Sequence, residues 1–196
     1  MSFIDRLAKA EAFEAKLKPK LEEMGLVVAP NASERTHGAF MDELRGSRDP
    51  SALALRFLPD FVAHTQENPP LLVLYIDAKA AKNIERDAYE QYLRLTTIGY
   101  KIVLIFEPYK WAWNLVQEIG LRRGEVTVSQ YRPERRLPVK DGWITPRGDR
   151  LWDSLLRASN PQASGTPYRE VLRSSLHPWN EFYSRLLRPQ QLALWA

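Results

Sequence analysis

Asp77 and Lys79 stand two positions apart in the run LLVLYIDAK, Leu71–Lys79, the most strand-like stretch of the chain. Side chains two apart in a strand leave it on one face. A carboxylate and an ammonium therefore project side by side, with Val73 and Tyr75 along the same face and Leu72, Leu74, Ile76 and Ala78 on the other. Such a pair can meet a cation and a phosphate oxygen at neighbouring points, or close a salt bridge at a strand end. Asp60, directly after Pro59 in FLPDFV, is a second carboxylate. By alternation it shares a face with Arg56, Leu58 and Val62; as a lone residue it also suits a turn or bulge. Glu14 is a third. It falls in the apolar stripe Phe3, Leu7, Ala10, Glu14, Leu17, Leu21, Met24 of the first helix, and carboxylates are rarely buried unless paired or bound to a cation. The competing phase turns Phe13 inward and leaves Glu14 at the flank.

The elements that must position these groups are legible at low resolution. The first helix has Ser2 as an N-cap and Gly25 as its stop, with Pro19 either kinking it or opening a second short helix. Leu26–Ala29 reads as a short strand, and Ala39–Leu44 as a short helix in a polar stretch. Leu53 to His64 reads as extended, bent or at an edge because of Pro59. Glu67–Pro70 is a turn. The spacing predicts a helix over 83–97, a buried strand over Tyr100–Phe106, a helix over Trp111–Ile119 and a strand over Glu125–Tyr131. Helix and strand alternate from Leu71 to Tyr131, so the expectation is an α/β core with helices flanking a mixed sheet. After Arg132, Pro and Gly become frequent, and short helices are expected near 149–158, 167–175 and 178–188.

Composition narrows the field. The chain has 196 residues, no cysteine and three histidines, His37, His64 and His177, too widely spaced for a metal-ligand pair. That excludes a disulfide framework, thiolate zinc and a cysteine nucleophile. The longest apolar run, Leu71–Ile76, is far short of the roughly 18–20 residues of a membrane span, and the N-terminus lacks a signal peptide's order. An intracellular, cytoplasmic protein with no membrane partner is the expectation. No Gly-rich phosphate loop, Gly-x-Ser-x-Gly elbow or dinucleotide fingerprint is present. Charge is uneven: residues 131–196 hold 11 Lys and Arg against 6 Asp and Glu, and the first 130 hold 17 against 18. The same last third carries four of the six tryptophans. Basic charge with interleaved aromatics suits a nucleic-acid surface, or a solvated face over an aromatic mini-core.

Pro59-Asp60 followed by Asp77-Ala78-Lys79 resembles the motif of the PD-(D/E)XK, or restriction-endonuclease-like, nuclease superfamily, with Asp77 where Glu is more usual. The helix 83–97 and the strand Lys101–Phe106 come in that superfamily's order. The stretch FEAKLKPKLEEMGLVVA is similar to the first helix and strand of archaeal-type Holliday junction resolvases, whose helix carries a Glu eleven residues before a Gly; here these are Glu14 and Gly25. The resemblance covers roughly residues 10–107. It implies a restriction-endonuclease-like core, αβββαβ, within residues 1–131; the change of signals after Arg132 reads separately as a basic, aromatic-rich, mainly helical or irregular extension, 132–196, packed on that core. It implies a metal-dependent DNA endonuclease, Holliday junction resolvase-like, with DNA as partner and a homodimer, since a four-way junction needs two matched cuts. Mg²⁺ would be held by Asp60, Asp77 and the main-chain carbonyl of Ala78, with Mn²⁺ able to substitute. Glu14 would bind the ion directly or through water, or hold a second one; Glu34 or Glu43 could supply that acid instead. Lys79 would orient the attacking water or stabilise developing charge. Hard carboxylate oxygens and an adjacent lysine suit that chemistry, because carboxylates crowded together require a cation and phosphate accepts a point charge.

Gln91 and Tyr92 are the candidates from the helix after the motif, against a plain solvated face. His37, in the loop Asn31–Gly38, is either a proton shuttle or a surface residue. Arg35, Lys82, Arg122, Arg123, Arg135 and Arg136 are candidate phosphate contacts or ordinary surface charge. Two other readings are a nucleic-acid-binding scaffold that keeps the fold without catalysis, and an interaction module with an accidental motif. The last predicts a solvent-facing Glu14 far from Asp77.

Overall fold

The computed structural model describes residues 3–31, 49–122, 139–140, 143–144 and 168–188. The expected helix at 39–44, strand at 125–131 and helix at 149–158 lie outside them, as do Glu34, Arg35, His37, Glu43, Arg123, Arg135 and Arg136.

Helix α1, Phe3–Glu23, runs through Pro19 unbroken. Pro19 and Ala15 are both exposed, so the carbonyl that loses its donor faces water and the helix tolerates the ring. Phe13, Leu17 and Leu21, one residue per turn, are buried at 2, 0 and 0% exposure, whereas Leu7 is exposed. Phe13 is thus the inward residue, and Glu14 is buried beside it. Gly25 ends the helix at φ +85°, with its N–H bonded to the Glu22 carbonyl at 2.9 Å, a left-handed stop that glycine adopts without a Cβ clash.

Strand β1, Leu26–Pro30, leads to α2, Pro50–Arg56, then β2, Phe61–Thr65, and β3, Val73–Lys79. The extended segment expected from Leu53 to His64 is therefore helix over its first third, to Arg56, and strand only from Phe61. Asp49 caps α2 by accepting from the N–H groups of Ser51 and Ala52 at 2.9 and 3.2 Å, and Pro50 occupies the first turn, where its missing N–H costs nothing. Pro59 stands outside β2, so β2 sits inside the sheet rather than at an edge, and alternation from Arg56 to Asp60 does not apply. β4, Asn83–Glu85, takes the first turn of the expected helix, and α3 spans Arg86–Thr97. β5, Ile102–Phe106, is buried throughout.

The expected helix at Trp111–Ile119 is instead β6, Ala112–Leu115, and a 3₁₀ turn. Lys110 and Trp111 both have positive φ, 56° and 63°, which reverses the chain and pairs β6 antiparallel with β5, Trp113 opposite Ile105. The main sheet has the order β1-β2-β3-β5-β6. It is mixed: β3 and β5 run parallel and the other neighbours antiparallel. The α–β–β–β–α–β order is present, with α2 and β4 as insertions. α1 covers one face; α3 packs on the other through Ala88 and Tyr92.

The later segment also differs from expectation. β7, Val139–Lys140, β8, Trp143–Ile144, and β9, Tyr168–Glu170, join β4 in a second sheet, β4-β9-β8-β7. Residues 168–170 are strand where a helix was expected, because β9 pairs with β4. Phe182 and Leu187 complete the α1-side core, where Trp111, Trp113, Trp179 and Phe182 stack with centroids 4.9 to 5.5 Å apart. Among the described residues no helix is long and apolar enough to cross a membrane.

Candidate active site

The β2–β3 register brings the two motif carboxylates together. Phe61 pairs with Ile76, so one further step sets Asp60 opposite Asp77. On the other side Pro30 pairs with Phe61, and the same step sets Asn31 beside Asp60. Three residues far apart in sequence form one row across the sheet.

Each member of the row is held. Asp60 Oδ2 accepts from the Ala78 N–H at 2.7 Å. Asn31 donates from its side-chain amide to the Pro59 carbonyl at 3.1 Å and from its backbone N–H to the Asp60 carbonyl at 2.8 Å. It clamps the turn that carries the aspartate. Asp77 is buried at 4% exposure. Lys79 Nζ lies 2.6 Å from Asp77 Oδ2. That enclosed oxygen makes no hydrogen bond of good direction, so the contact is an ion pair. Tyr92 is buried on α3, close enough for its hydroxyl to feel the Asp77 carboxylate. Asp77 and Lys79 thus share the α3 face of β3, as alternation requires.

The electrostatics follow from the crowding. Burial, then the charges of Asp77 and Glu14, push the Asp60 carboxyl well above the ordinary carboxylate range; Lys79 opposes them weakly. Burial alone would lower Lys79, but Asp77 and Asp60 outweigh it and the ammonium is raised, held charged. Tyr92 is raised well above its usual value by burial, then by Asp77 and Asp60.

Glu14 is buried at 8% exposure and acts on Asp60. The solvent-facing Glu14 of the accidental-motif reading is not observed. Glu14, Asp60 and Asp77 do not form a closed cage, however: among the described residues no three acidic or histidine side chains are placed to hold one metal ion. Gln91 is buried on α3 beside Tyr92. Lys82 and Arg122 are exposed, outside the carboxylate row. Lys82 stands over the Tyr109 ring, 5.5 Å from its centroid, and Arg122 is 3.7 Å from Glu170.

Sequence reasoning missed two residues. Asn31 reads as loop, although a polar side chain directly after a strand ending in Pro is a signal for a local clamp. Glu85, the residue before α3, acts electrostatically on both Lys79 and Tyr92. Its placement depends on β4, which has no signature in three residues.

No protein-family model and no curated protein matches the chain. Among solved structures, the chain is similar to Hjc of Archaeoglobus fulgidus, a Holliday junction resolvase from an archaeal hyperthermophile. The two are 20% identical with a TM-score of 0.37, over 57% of this chain and 76% of that one.

Proposed function

We propose that the chain is a metal-dependent DNA endonuclease that hydrolyses phosphodiester bonds. One observation carries the reading: Asp60, Asp77 and Lys79 meet at the end of β3, two carboxylates opposed across a register step with an ammonium 2.6 Å from one of them. A strand-end salt bridge needs one carboxylate. The second, raised by the first, is a repulsion that a hard cation relieves.

The residues fit Mg²⁺ in kind. Mg²⁺ is usually held by one or two carboxylates and keeps several waters, so it needs no closed cage. Asp77 Oδ2, enclosed and lacking a directed hydrogen bond, is the foremost donor; Asp60 and the Ala78 carbonyl would complete the set, with Glu14 reaching the ion through water. When bound, the ion supplies Lewis-acid polarisation of phosphate and water; Mn²⁺ would substitute. Lys79 remains charged and is the group to orient the attacking water and neutralise charge growing on phosphate oxygen. Lys79 holds Asp77 in place, and Asn31 holds Asp60. A four-way DNA junction and a homodimer are the finer forms of this proposal.

A second reading, a nucleic-acid-binding protein without catalysis, is favoured by the lack of a three-ligand cluster among the described residues. One panel separates them: four-way junction, flap, duplex, single-stranded DNA and RNA, each with Mg²⁺, Mn²⁺ or EDTA, using the natural chain and Asp77→Ala. The expected outcome is metal-dependent cutting of DNA, abolished in the variant. Cutting retained by the variant would refute the site; salt-sensitive binding without cutting would establish the second reading.

A further inference from the structure

Around Tyr109 the chain gathers cations that the carboxylate row does not use. Lys82 lies over its ring, and Arg122 and Arg173 act on its hydroxyl from nearby. Arg169, on β9, donates to the carbonyls of Leu121 and Arg122 at 2.8 and 3.2 Å. Glu170 is the acid within this group, accepting from the Tyr109 hydroxyl at 3.2 Å and lying 3.7 Å from Arg122. Among the described residues around Tyr109, Lys82, Arg122 and Arg173 outnumber Glu170, which leaves a positive face. Lys82, Arg122 and Arg173 are exposed, and exposed pairs of this kind stabilise a fold little. The gathering is therefore not explained by stability.

Its placement is backbone-specified. β4 lies between Lys79 of β3 and the α3 helix that carries Tyr92, and β9 pairs with β4 along Asn83–Glu85. The Val171 N–H donates to the Lys82 carbonyl at 2.9 Å, and the Arg122 N–H to the Glu170 carbonyl at 2.8 Å. The cations are thus fixed to the connection that leaves the site. Arg169 spends hydrogen bonds on the backbone, and Arg173 donates to the Leu176 carbonyl at 3.0 Å. A guanidinium has five donors, so this bond does not exhaust Arg173. A partner for such a face is a polyanion with regularly spaced phosphates.

We propose that Lys82, Arg122 and Arg173 form a phosphate platform, ordered in part by the C-terminal segment, that holds the backbone of the nucleic acid beyond the bond being cut. This rests on the nuclease reading and extends it to a surface apart from the carboxylate row. Contacts are to phosphate, so the platform adds affinity and register without base preference.

The test is equilibrium binding by the full chain in EDTA, across a salt series, to duplex and to single-stranded DNA of matched length. The proteins are the natural chain, Lys20→Ala as a control on α1, and the combined Lys82→Ala, Arg122→Ala and Arg173→Ala variant. Each lost phosphate contact should flatten the log K against log salt slope by about 0.9 on duplex and about 0.7 on single strands. The combined variant should lose about two to three contacts and bind about tenfold or more weakly at low salt. Lys20→Ala, which removes an exposed lysine outside the platform, should keep the natural slope. Charge-keeping changes, Lys82→Arg with Arg122→Lys and Arg173→Lys, should restore it. Should the combined variant fail to fold, Lys82→Ala alone carries the test at about one contact. Whichever DNA form loses slope is the form held. An unchanged slope in a chain that binds and cuts DNA overturns the platform and leaves the nuclease standing. A natural chain that neither binds nor cuts overturns both.

Discussion

The two sheets handle charge in opposite ways. At the five-stranded sheet, Asp77 and the Glu14 of α1 are at most 8% exposed, and the row of Asn31, Asp60 and Asp77 is fixed by register, an ion pair and backbone donors. Beside the four-stranded sheet, Lys82 and Arg122 are exposed, and Arg122 has Glu170 at 3.7 Å. Buried charge is costly unless its partners are placed, so the first arrangement specifies a geometry. Exposed charge is cheap and screened, so the second specifies only a field. Chemistry needs the former and capture needs the latter.

The sharpest way to break this contrast is to neutralise one lysine from each sheet. Lys79→Met should lower cleavage at saturating DNA by about 10²–10³-fold, the scale of losing one placed electrostatic donor. Lys82→Met should instead alter the salt dependence of binding. Single-turnover cleavage with saturating protein reads the first, and a salt titration the second. Equal losses of cleavage would dissolve the distinction between the sheets.

A second test asks whether the two regions are separable at all. The segment that supplies Arg169 and Arg173 also supplies Phe182, at 0% exposure against Trp113 and Trp179. Phe182→Ala should cost about 3–5 kcal/mol, transfer and cavity terms together, measured by urea unfolding followed by tryptophan fluorescence. A cost below about 1 kcal/mol, the range of surface changes, would mean that the segment merely rests on the core.

How much of this was legible follows the range of the interactions. The alternation in Val73–Lys79 placed Asp77 and Lys79 on one face, and the apolar run at Ile102–Phe106 was buried as its composition required, because both signals are local. Even the meeting of Asp60 with Asp77 was anticipated, though through a family's motif rather than through register. What failed had a competing cause elsewhere. Leu53–Arg56 looks extended until Asp49 and Pro50 are read as a cap and first turn. Trp113 looks helical until two left-handed residues fold it onto Ile105. Tyr168–Glu170 becomes strand only because Asn83–Glu85 lies alongside, and no local pattern announces a three-residue pairing. Glu14 was correctly suspected of burial for the wrong phase: the stripe turns on Phe13, and Glu14 is carried in beside it.

Asn31 gives a smaller, more local handle on the carboxylate row. Asn31→Ala removes the side-chain donor to Pro59 but keeps the backbone bond to Asp60. A lost hydrogen bond of this kind costs about 1 kcal/mol. If the clamp positions Asp60, the same change should raise the Mg²⁺ concentration needed for half-maximal cleavage by several-fold while leaving the rate at saturating Mg²⁺ less affected. A purely structural role would lower thermal stability without moving the Mg²⁺ dependence.

The gentlest probe sets stability against function at Asp60. Its carboxyl is raised in the folded chain, so the folded state binds that proton more tightly than the unfolded state does. The associated stability is present below the ordinary carboxylate pKa, near 4, and is lost as pH rises through the folded value. Above that folded value, and without metal, the chain carries the cost of the buried charge and the repulsion of Asp60 with Asp77 and Glu14. Asp60→Asn keeps an oxygen for the Ala78 N–H and removes the charge. It should raise the metal-free melting temperature at pH 7 by about 2–4 °C, corresponding to about 1 kcal/mol, and the gain should shrink towards pH 4, where the natural carboxyl is already neutral. Adding Mg²⁺ should reverse the order, since a ligand stabilises the form that binds it: the natural chain gains, and the variant gains less. A natural chain that melts above Asp60→Asn in EDTA at pH 7 would show that the carboxylate row is at rest without a cation, and the main physical reason for placing one there would be gone.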